Sequence, residues 1–320
     1  MHILVTGGAG FIGRWVVARL LTEGHEVLAF DNLSSGSLAN IREWENEPGF
    51  SFRQGDIKDE GAVEEVFTAF RPEVCFHLAA SINVQDSLDN PQDTFDNDVV
   101  GTFHVLEACL RHGAKMVFMS TCMVYDRCGE GEAITETHPV KPASPYAGAK
   151  LAGEHLVLSY YHGYGLPVVV LRPFNTYGPF QKSTGEGGVI SIFLSRALRY
   201  EPLLVYGDGT QTRDFLYVED CAEFVVRAGL SEQAVGRVLN AGTGIDISIN
   251  ELAVKVLEVT ARFQGTGANP VSAVQYMPHI HPQSEIPRLR CDWRLARELL
   301  GWAPQVSLEE GLVRTARWIR

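Results

Sequence analysis

The stretch Met1-His2-Ile3-Leu4-Val5-Thr6-Gly7-Gly8-Ala9-Gly10-Phe11-Ile12-Gly13 decides the fold. Residues 2–6 are a short apolar strand. Glycines follow at once, and an amphipathic helix then runs to about Leu21 and stops at Gly24. A second strand, Glu26 to Phe30, ends at Asp31, 21 residues after Gly10. This is a βαβ opening. Its glycines let a backbone turn approach a pyrophosphate at a helix N-terminus, and the carboxylate after the second strand can hold ribose hydroxyls. The order of strand, glycines, helix, strand and acid points to a dinucleotide held by Gly7, Gly10, Phe11, Ile12 and Gly13, with Asp31 at its ribose. No Arg or Lys follows Asp31 until Arg42, so nothing there welcomes a 2′-phosphate, and NAD is preferred to NADP.

The alternation continues outward. Ser51 to Gln54 reads as a strand leading to Asp56 and Ile57, and Asp59 to Phe70 as a helix with Val63, Val66, Phe67 and Phe70 on one face. Val74 to Leu78 is a strand followed by Ala79 and Ala80, small enough for a cofactor to lie close. Pro91 to His112 reads as one long helix containing Asn97, and Lys115 to Ser120 as a strand that delivers Thr121 to its carboxyl end, the edge where open parallel sheets bind ligands. Asp56 is either an adenine contact or a turn residue, and Asn97 either a buried amide near the site or a plain polar position. The fold class is α/β, a doubly wound parallel sheet of Rossmann type with a smaller C-terminal substrate domain. The first unit takes residues 1–173, with about 217–242 returning to it. The second takes about 174–216 and 243–320, where a Gly-rich loop from Phe180 to Gly188 breaks the regular alternation. Ser248-Ile249-Asn250-Glu251 and Ser307-Leu308-Glu309-Glu310 are capping boxes that start two further helices.

Composition narrows the function. With 320 residues, 45% hydrophobic and 21% charged, the chain buries a substantial core. A formal charge of −12 gives no basic footprint, which argues against nucleic acid and anionic membrane as partners and leaves anion binding to local groups. The N-terminus shows no secretory pattern and no apolar run is long enough to span a bilayer, so a cytoplasmic protein is expected. Cys75, Cys109, Cys122, Cys128, Cys221 and Cys291 are scattered without C-x-x-C spacing, which argues for buried thiols rather than a metal site or disulfides.

Between Ser120 and Lys150 the chain reads Ser120-Thr121-Cys122-Met123 at one end and Ser144-Pro145-Tyr146-Ala147-Gly148-Ala149-Lys150 at the other. Ser144 suits an N-cap and Pro145 the first helical position, so Tyr146 and Lys150 lie one turn apart on the same face. A phenol at the positive end of a helix, one turn before an ammonium, is an arrangement for making phenolate. Lowering its pKa from about 10 to about 7 takes roughly 4 kcal/mol of differential stabilisation.

These residues resemble the extended short-chain dehydrogenase/reductase family, specifically its nucleotide-sugar epimerases and dehydratases. Thr6-Gly7-Gly8-Ala9-Gly10-Phe11-Ile12-Gly13 is similar to the family's T-G-x-x-G-x-x-G, Tyr146 and Lys150 to its Y-x-x-x-K, and Thr121 stands where its Ser or Thr does. Arg172-Pro173-Phe174-Asn175-Thr176-Tyr177-Gly178-Pro179 and Gly207-Asp208-Gly209 followed by Arg213-Asp214-Phe215 are similar to its substrate-domain signatures. The resemblance implies NAD held by the glycine turn, Asp31, Asn32, Asp56, Ile57, Leu78, Ala79, Ala80, Asn97, Tyr146 and Lys150. It also implies a nucleoside-diphosphate sugar held by Asn83, Thr121, Cys122, Met123, Asn175, Val189, Arg213 and Arg288. Tyr146 is then the base for a sugar hydroxyl, usually O4, Thr121 shares its hydrogen bond, and Lys150 holds the nicotinamide ribose. No metal is implied. A homodimer is, through the 91–112 and Tyr146 helices, although Leu151, Leu156, Val157 and Tyr160 suit that interface or the chain's own sheet equally.

Two departures from the pattern matter. The dehydratases carry Thr-Asp-Glu where this chain has Thr121-Cys122-Met123. A thioether carries no proton, so the usual C5 base is missing and 4-epimerisation is the leading expectation. The alternative is a dehydratase in which Cys122 serves as acid or base. A dinucleotide-sensing binding protein is the reading from another class, disfavoured by the presence of Tyr146 and Lys150. The second departure is at His281-Pro282-Gln283-Ser284-Glu285-Ile286-Pro287-Arg288, where relatives carry a diphosphate-binding Arg at the position of His281, leaving Arg288 or Arg290 as substitutes.

Overall fold

The computed structural model describes residues 1–184, 188–264, 274–279 and 282–320; His281 lies outside them. In chain order the elements are β1 (His2–Thr6), α1 (Phe11–Thr22), β2 (Glu26–Asp31), β3 (Phe50–Gln54), α2 (Glu60–Phe70), β4 (Val74–His77), α3 (Val84–Asp89) and α4 (Pro91–Phe95). A π-helical turn (Asp96–Gly101) leads into α5 (Thr102–His112), β5 (Lys115–Met119), α6 (Pro145–Tyr164), β6 (Val168–Pro173), β7 (Asn175–Tyr177), α7 (Val189–Leu198) and β8 (Leu203–Tyr206). Then come β9 (Thr212–Tyr217), α8 (Val218–Leu230), β10 (Val238–Ala241), β11 (Asp246–Ser248), α9 (Ile249–Gln264), β12 (Val274–Met277), α10 (Arg294–Leu300) and α11 (Leu308–Ile319).

The central sheet has seven strands in the order β3-β2-β1-β4-β5-β6-β10, every neighbouring pair parallel. Its inner strands are buried on both faces and therefore read as continuous apolar runs, such as Ile3-Leu4-Val5 and Val168-Val169-Val170-Leu171, which are at most 1% exposed, whereas the edge strand β3 has no buried residue. The strand order reverses between β1 and β4, and ligands of such sheets bind outside the carboxyl ends at that point. α8 packs against α1 on one face. The smaller sheets are β11-β9-β7 and β12-β8; around them α7, α9 and α11 enclose a separate apolar cluster with Tyr177, Phe193, Phe215 and Leu252.

The first capping box forms in full, Ser248 and Glu251 exchanging side-chain to backbone bonds in both directions. At the second the Ser307 hydroxyl accepts from the Glu310 N–H, while the Glu310 carboxylate bonds Arg314. The expected helix over 91–112 runs without interruption, with a π-helical stretch inserted between α4 and α5. There the Asp98 carboxylate accepts the Ser81 N–H at 2.7 Å and Thr102 donates to the Asp98 carbonyl at 2.7 Å. Among the described residues no helix is long and apolar enough to cross a membrane.

Gly13 shows how tightly the opening turn is built. A Cβ there would sit 2.0 Å from the Gly7 carbonyl oxygen, backbone that has no room to give. Gly13→Ala is therefore expected to destabilise the protein by about 1–3 kcal/mol, as overpacking does, read as a lower urea midpoint at unchanged m-value.

Candidate active site

The β1–α1 turn forms a cradle. Gly7 takes φ +70°, and a Cβ on it would meet the Ala79 nitrogen at 2.8 Å, so the turn after β1 lies directly on the segment after β4. Gly10 caps α1 without a side-chain hydrogen bond, and the first turn carries no acid. This leaves the helix's positive end and its first N–H groups to an anion. Beside it the buried Asp31 carboxylate accepts from the Ala9 N–H at 3.1 Å and the Leu33 N–H at 2.8 Å. Burial pushes its pKa up and these two donors pull it back. Each oxygen retains a lone pair for a hydroxyl. The donor set thus fits a dinucleotide: N–H groups for pyrophosphate, a carboxylate for ribose.

The neighbouring residues divide between holding the turn and lining it. Asp56 accepts from the Lys58 N–H at 2.8 Å and from Asn32 Nδ2 at 3.1 Å, so the turn reading of Asp56 describes its present contacts. Ile57 is buried and its carbonyl is bonded to His104 Nδ1 at 3.0 Å. Thr6 Oγ1 accepts the Ala79 N–H at 3.3 Å and pairs with His77 Nδ1 at 2.7 Å, while His77 Nε2 pairs with Thr102 Oγ1 at 3.0 Å. Burial, with a further push from the Lys150 charge, lowers the His77 pKa to about 3, so it is a neutral tie between β1, β4 and α5. Leu78, Ala79 and Ala80 follow it, partly exposed at the carboxyl edge.

Ser144 caps α6 through a bond from the Ala147 N–H at 3.2 Å, and Pro145 is in the first turn, as read from the sequence. Tyr146 and Lys150 are buried at the site edge, with the Lys150 ammonium 4.8 Å from the centre of the Phe118 ring. One expectation is corrected. The phenol of Tyr146 is pushed well above its ordinary value, chiefly by burial and then by the Asp98 charge, and only the Thr121 hydroxyl, hydrogen-bonded to it, pulls the other way. Lys150 is itself lowered by burial, with Asp98 and Glu154 acting to keep it charged. Thr121 also accepts from the Met123 N–H at 3.2 Å. Cys122 is 2% exposed, and burial drives its thiol up to about 12 against the opposing charge of Arg213. All six cysteines are free and buried, and no metal-ligand cluster occurs among the described residues.

Two features beside Tyr146 went unread in the sequence. Asn97, expected near the cofactor, turns its amide onto Asp98 Oδ1 at 2.8 Å. Asp98, 1% exposed, is the residue whose charge reaches Tyr146 and Lys150. Its signal was an acid directly after Asn97 in a stretch otherwise facing the core. The second is Glu154, which shares its face of α6 with Tyr146 and Lys150 at four-residue spacing. Glu154 takes a bidentate bond from Arg172, at 2.8 and 2.5 Å, and a bond from the Ser120 hydroxyl. Arg172 lies 4.6 Å from the Tyr125 ring centre, and the Tyr125 hydroxyl donates to Asn240 at 2.7 Å.

Among the residues expected at the substrate, Asn175 Oδ1 is buried and has no partner among the described residues, an acceptor open to a ligand donor. Arg213 donates to the carbonyls of Thr212 and Ile286 at 2.7 and 2.8 Å and to the Glu285 carboxylate. Arg288 is 2.9 Å from Asp246, and Arg290 donates to the Gly244 carbonyl at 2.8 Å. The arginines expected at a diphosphate are therefore engaged by the chain's own acceptors. Asn83 caps α3 by accepting from the Asp86 N–H at 2.8 Å, and Val189 opens α7.

A family model described as GDP-mannose 4,6 dehydratase matches residues 4–315. The chain belongs to that family. It is 39% identical to the UDP-glucose 4-epimerase of Mycolicibacterium smegmatis over 100% of this chain and 99% of the relative. Among solved structures, Pal from Bacillus thuringiensis is 56% identical with a TM-score of 0.95, covering 100% of this chain and 99% of that one. The UDP-glucose 4-epimerase of Thermus thermophilus, solved in complex with NAD, is 37% identical with a TM-score of 0.89, again over 100% and 99%. The chain is thus an enzyme of the nucleotide-sugar epimerase and dehydratase type, as the resemblance implies.

Proposed function

We propose that this protein is an NAD-dependent nucleotide-sugar 4-epimerase, acting on a nucleoside-diphosphate hexose. The observation that carries the reading is the pair after Thr121: Met123 has no proton to exchange, and the buried Cys122 thiol, at about 12, stays protonated at neutral pH and offers no base for C5. Elimination needs such a base, whereas epimerisation needs only the removal and return of hydrogen at C4.

The glycine turn and α1 hold the pyrophosphate of NAD, Asp31 its ribose, and Lys150 the ribose next to its nicotinamide. Bound NAD supplies a hydride acceptor. Tyr146 takes the proton from the sugar O4 as its carbon is oxidised and gives it back after the keto sugar has presented its other face. Thr121 donates to the same oxygen and keeps it aligned. Asn175 and Arg213 serve the nucleotide half, Arg213 exchanging Glu285 for a phosphate oxygen. Three further points belong to this reading. Six free thiols suit a reducing, cytoplasmic compartment. Leu151, Val157 and Tyr160 pack into the chain's own cores. The groove lined by Pro91, Phe95, Val99, Pro145, Ala149 and Ala152, with Phe95 51% exposed, is the face offered to a second copy in a homodimer.

The test is to incubate the purified enzyme with UDP-, GDP-, dTDP- and CDP-hexoses and follow products by mass and chromatography. A stereoisomer of unchanged mass is expected, and Cys122→Ser should form it within a few-fold of the parent rate. Accumulation of a 4-keto-6-deoxy sugar, lost in Cys122→Ser, would establish the dehydratase instead.

A further inference from the structure

Asp98 has no part in the scheme above, yet its setting is unusual. It sits in the π turn between α4 and α5, packed against α6, and is 1% exposed. Oδ1 is fully used by the Ser81 N–H at 2.7 Å and Asn97 Nδ2 at 2.8 Å. Oδ2 is buried with no partner among the described residues. A buried carboxylate oxygen left without a donor is costly, and such groups persist where they serve a site.

We propose that Asp98 is a positioning residue that forms, with Lys150, the charge environment of Tyr146, so that the acidity of the catalytic phenol is set by three residues on two elements rather than by Tyr146 and Lys150 alone. The inference rests on Tyr146 being the base. The groups around these residues define the sign. Tyr146 is faced by Asp98 from the π turn and by Thr121 and Cys122 from the end of β5. Lys150 is faced by Asp98 and by Glu154 on its own helix, and by the neutral His77 at the end of β4. Asp98 is faced by Lys150, by Asn97 and Ser81, and by Asp93 on α4. A negative charge at Asp98 opposes ionisation of the phenol. It also keeps the Lys150 ammonium charged in a buried place, a task in which Glu154 assists. The charge at Asp98 therefore favours the protonated phenol.

Asp98→Asn is the suitable probe because the amide keeps an oxygen for the Ser81 and Asn97 donors and changes only the charge and the unpartnered atom. Phenol ionisation is followed by ultraviolet difference titration of the NAD-loaded enzyme, with Tyr146→Phe identifying the Tyr146 contribution. The expected result is a fall in the Tyr146 midpoint of about one pH unit in Asp98→Asn, at unchanged bound NAD, with Asp98→Ser moving the same way should the amide variant fold poorly. Asp93→Asn, which removes an exposed carboxylate on α4, should leave the midpoint in place. An unchanged or raised midpoint in the Asp98 variants, or an equal fall in Asp93→Asn, would overturn the proposal. Because the readout is ionisation and not turnover, it is independent of whether the enzyme is an epimerase.

Discussion

Replacing Arg172 with Leu is expected to destabilise the protein by about 3–5 kcal/mol, the cost of leaving a buried charge without its partner. Arg172 on β6 is 5% exposed and Glu154 on α6 is 1% exposed, so neither reaches water when the other is removed. The bidentate contact, at 2.8 and 2.5 Å, satisfies both carboxylate oxygens, and Leu offers them nothing. The Arg172 guanidinium also lies against the Tyr125 ring, so its packing is lost as well. Urea unfolding should show a lower midpoint at similar m-value. The double variant Glu154→Leu with Arg172→Leu should recover most of the loss, since replacing both members of a buried pair by apolar groups is close to neutral. A single-variant loss below about 1 kcal/mol would mean that the carboxylate finds water or another donor. The network also has a functional side. Ser120, one residue before Thr121, bonds the same carboxylate, so it fixes the end of β5 against the helix that carries Tyr146.

What could be read from the chain alone follows the range of the interactions. The glycine turn and the Ser144-Pro145 helix start depend on residues within one or two turns of each other, and each formed as read. The parallel sheet was legible because continuous apolar runs alternate with amphipathic helices. Three things were not. The 91–112 segment keeps nearly helical periodicity through its π turn, and the turn is stabilised by Ser81, a residue from another segment. The phenol of Tyr146 was expected to be lowered by Lys150 and a helix end, but burial and Asp98, both properties of the assembled site, push it up. Arg213 looked like an open phosphate ligand, yet its carboxylate partner Glu285 comes from 72 positions further along the chain. Local motifs locate the chemistry, while the energies that tune it come from contacts that only the fold creates.

Tyr146→Phe should lower turnover of the accepted nucleoside-diphosphate hexose by roughly 10³- to 10⁴-fold, at the upper end of what a positioned general base contributes, while bound NAD stays at the parent level. Phe keeps the ring in its buried slot and removes only the oxygen that bonds Thr121, so the fold and the cradle around Gly10 and Asp31 have no reason to change. The parent's pH profile carries the sign of the argument. The phenol must lose its proton to act as base, and burial and Asp98 hold that proton on. On the acid limb, kcat/KM should therefore rise about tenfold per pH unit up to the Tyr146 midpoint in the loaded enzyme. NAD content is measured on denatured protein by chromatography, and turnover by stereoisomer formation. Loss of activity with loss of NAD would place Tyr146 in the cofactor site alone. Turnover within tenfold of the parent would assign the proton to another group, and Thr121 would be the first to examine. Loss of turnover with NAD retained is the outcome that a phenol acting on O4 requires, because the hydride step has no path while the hydroxyl keeps its proton.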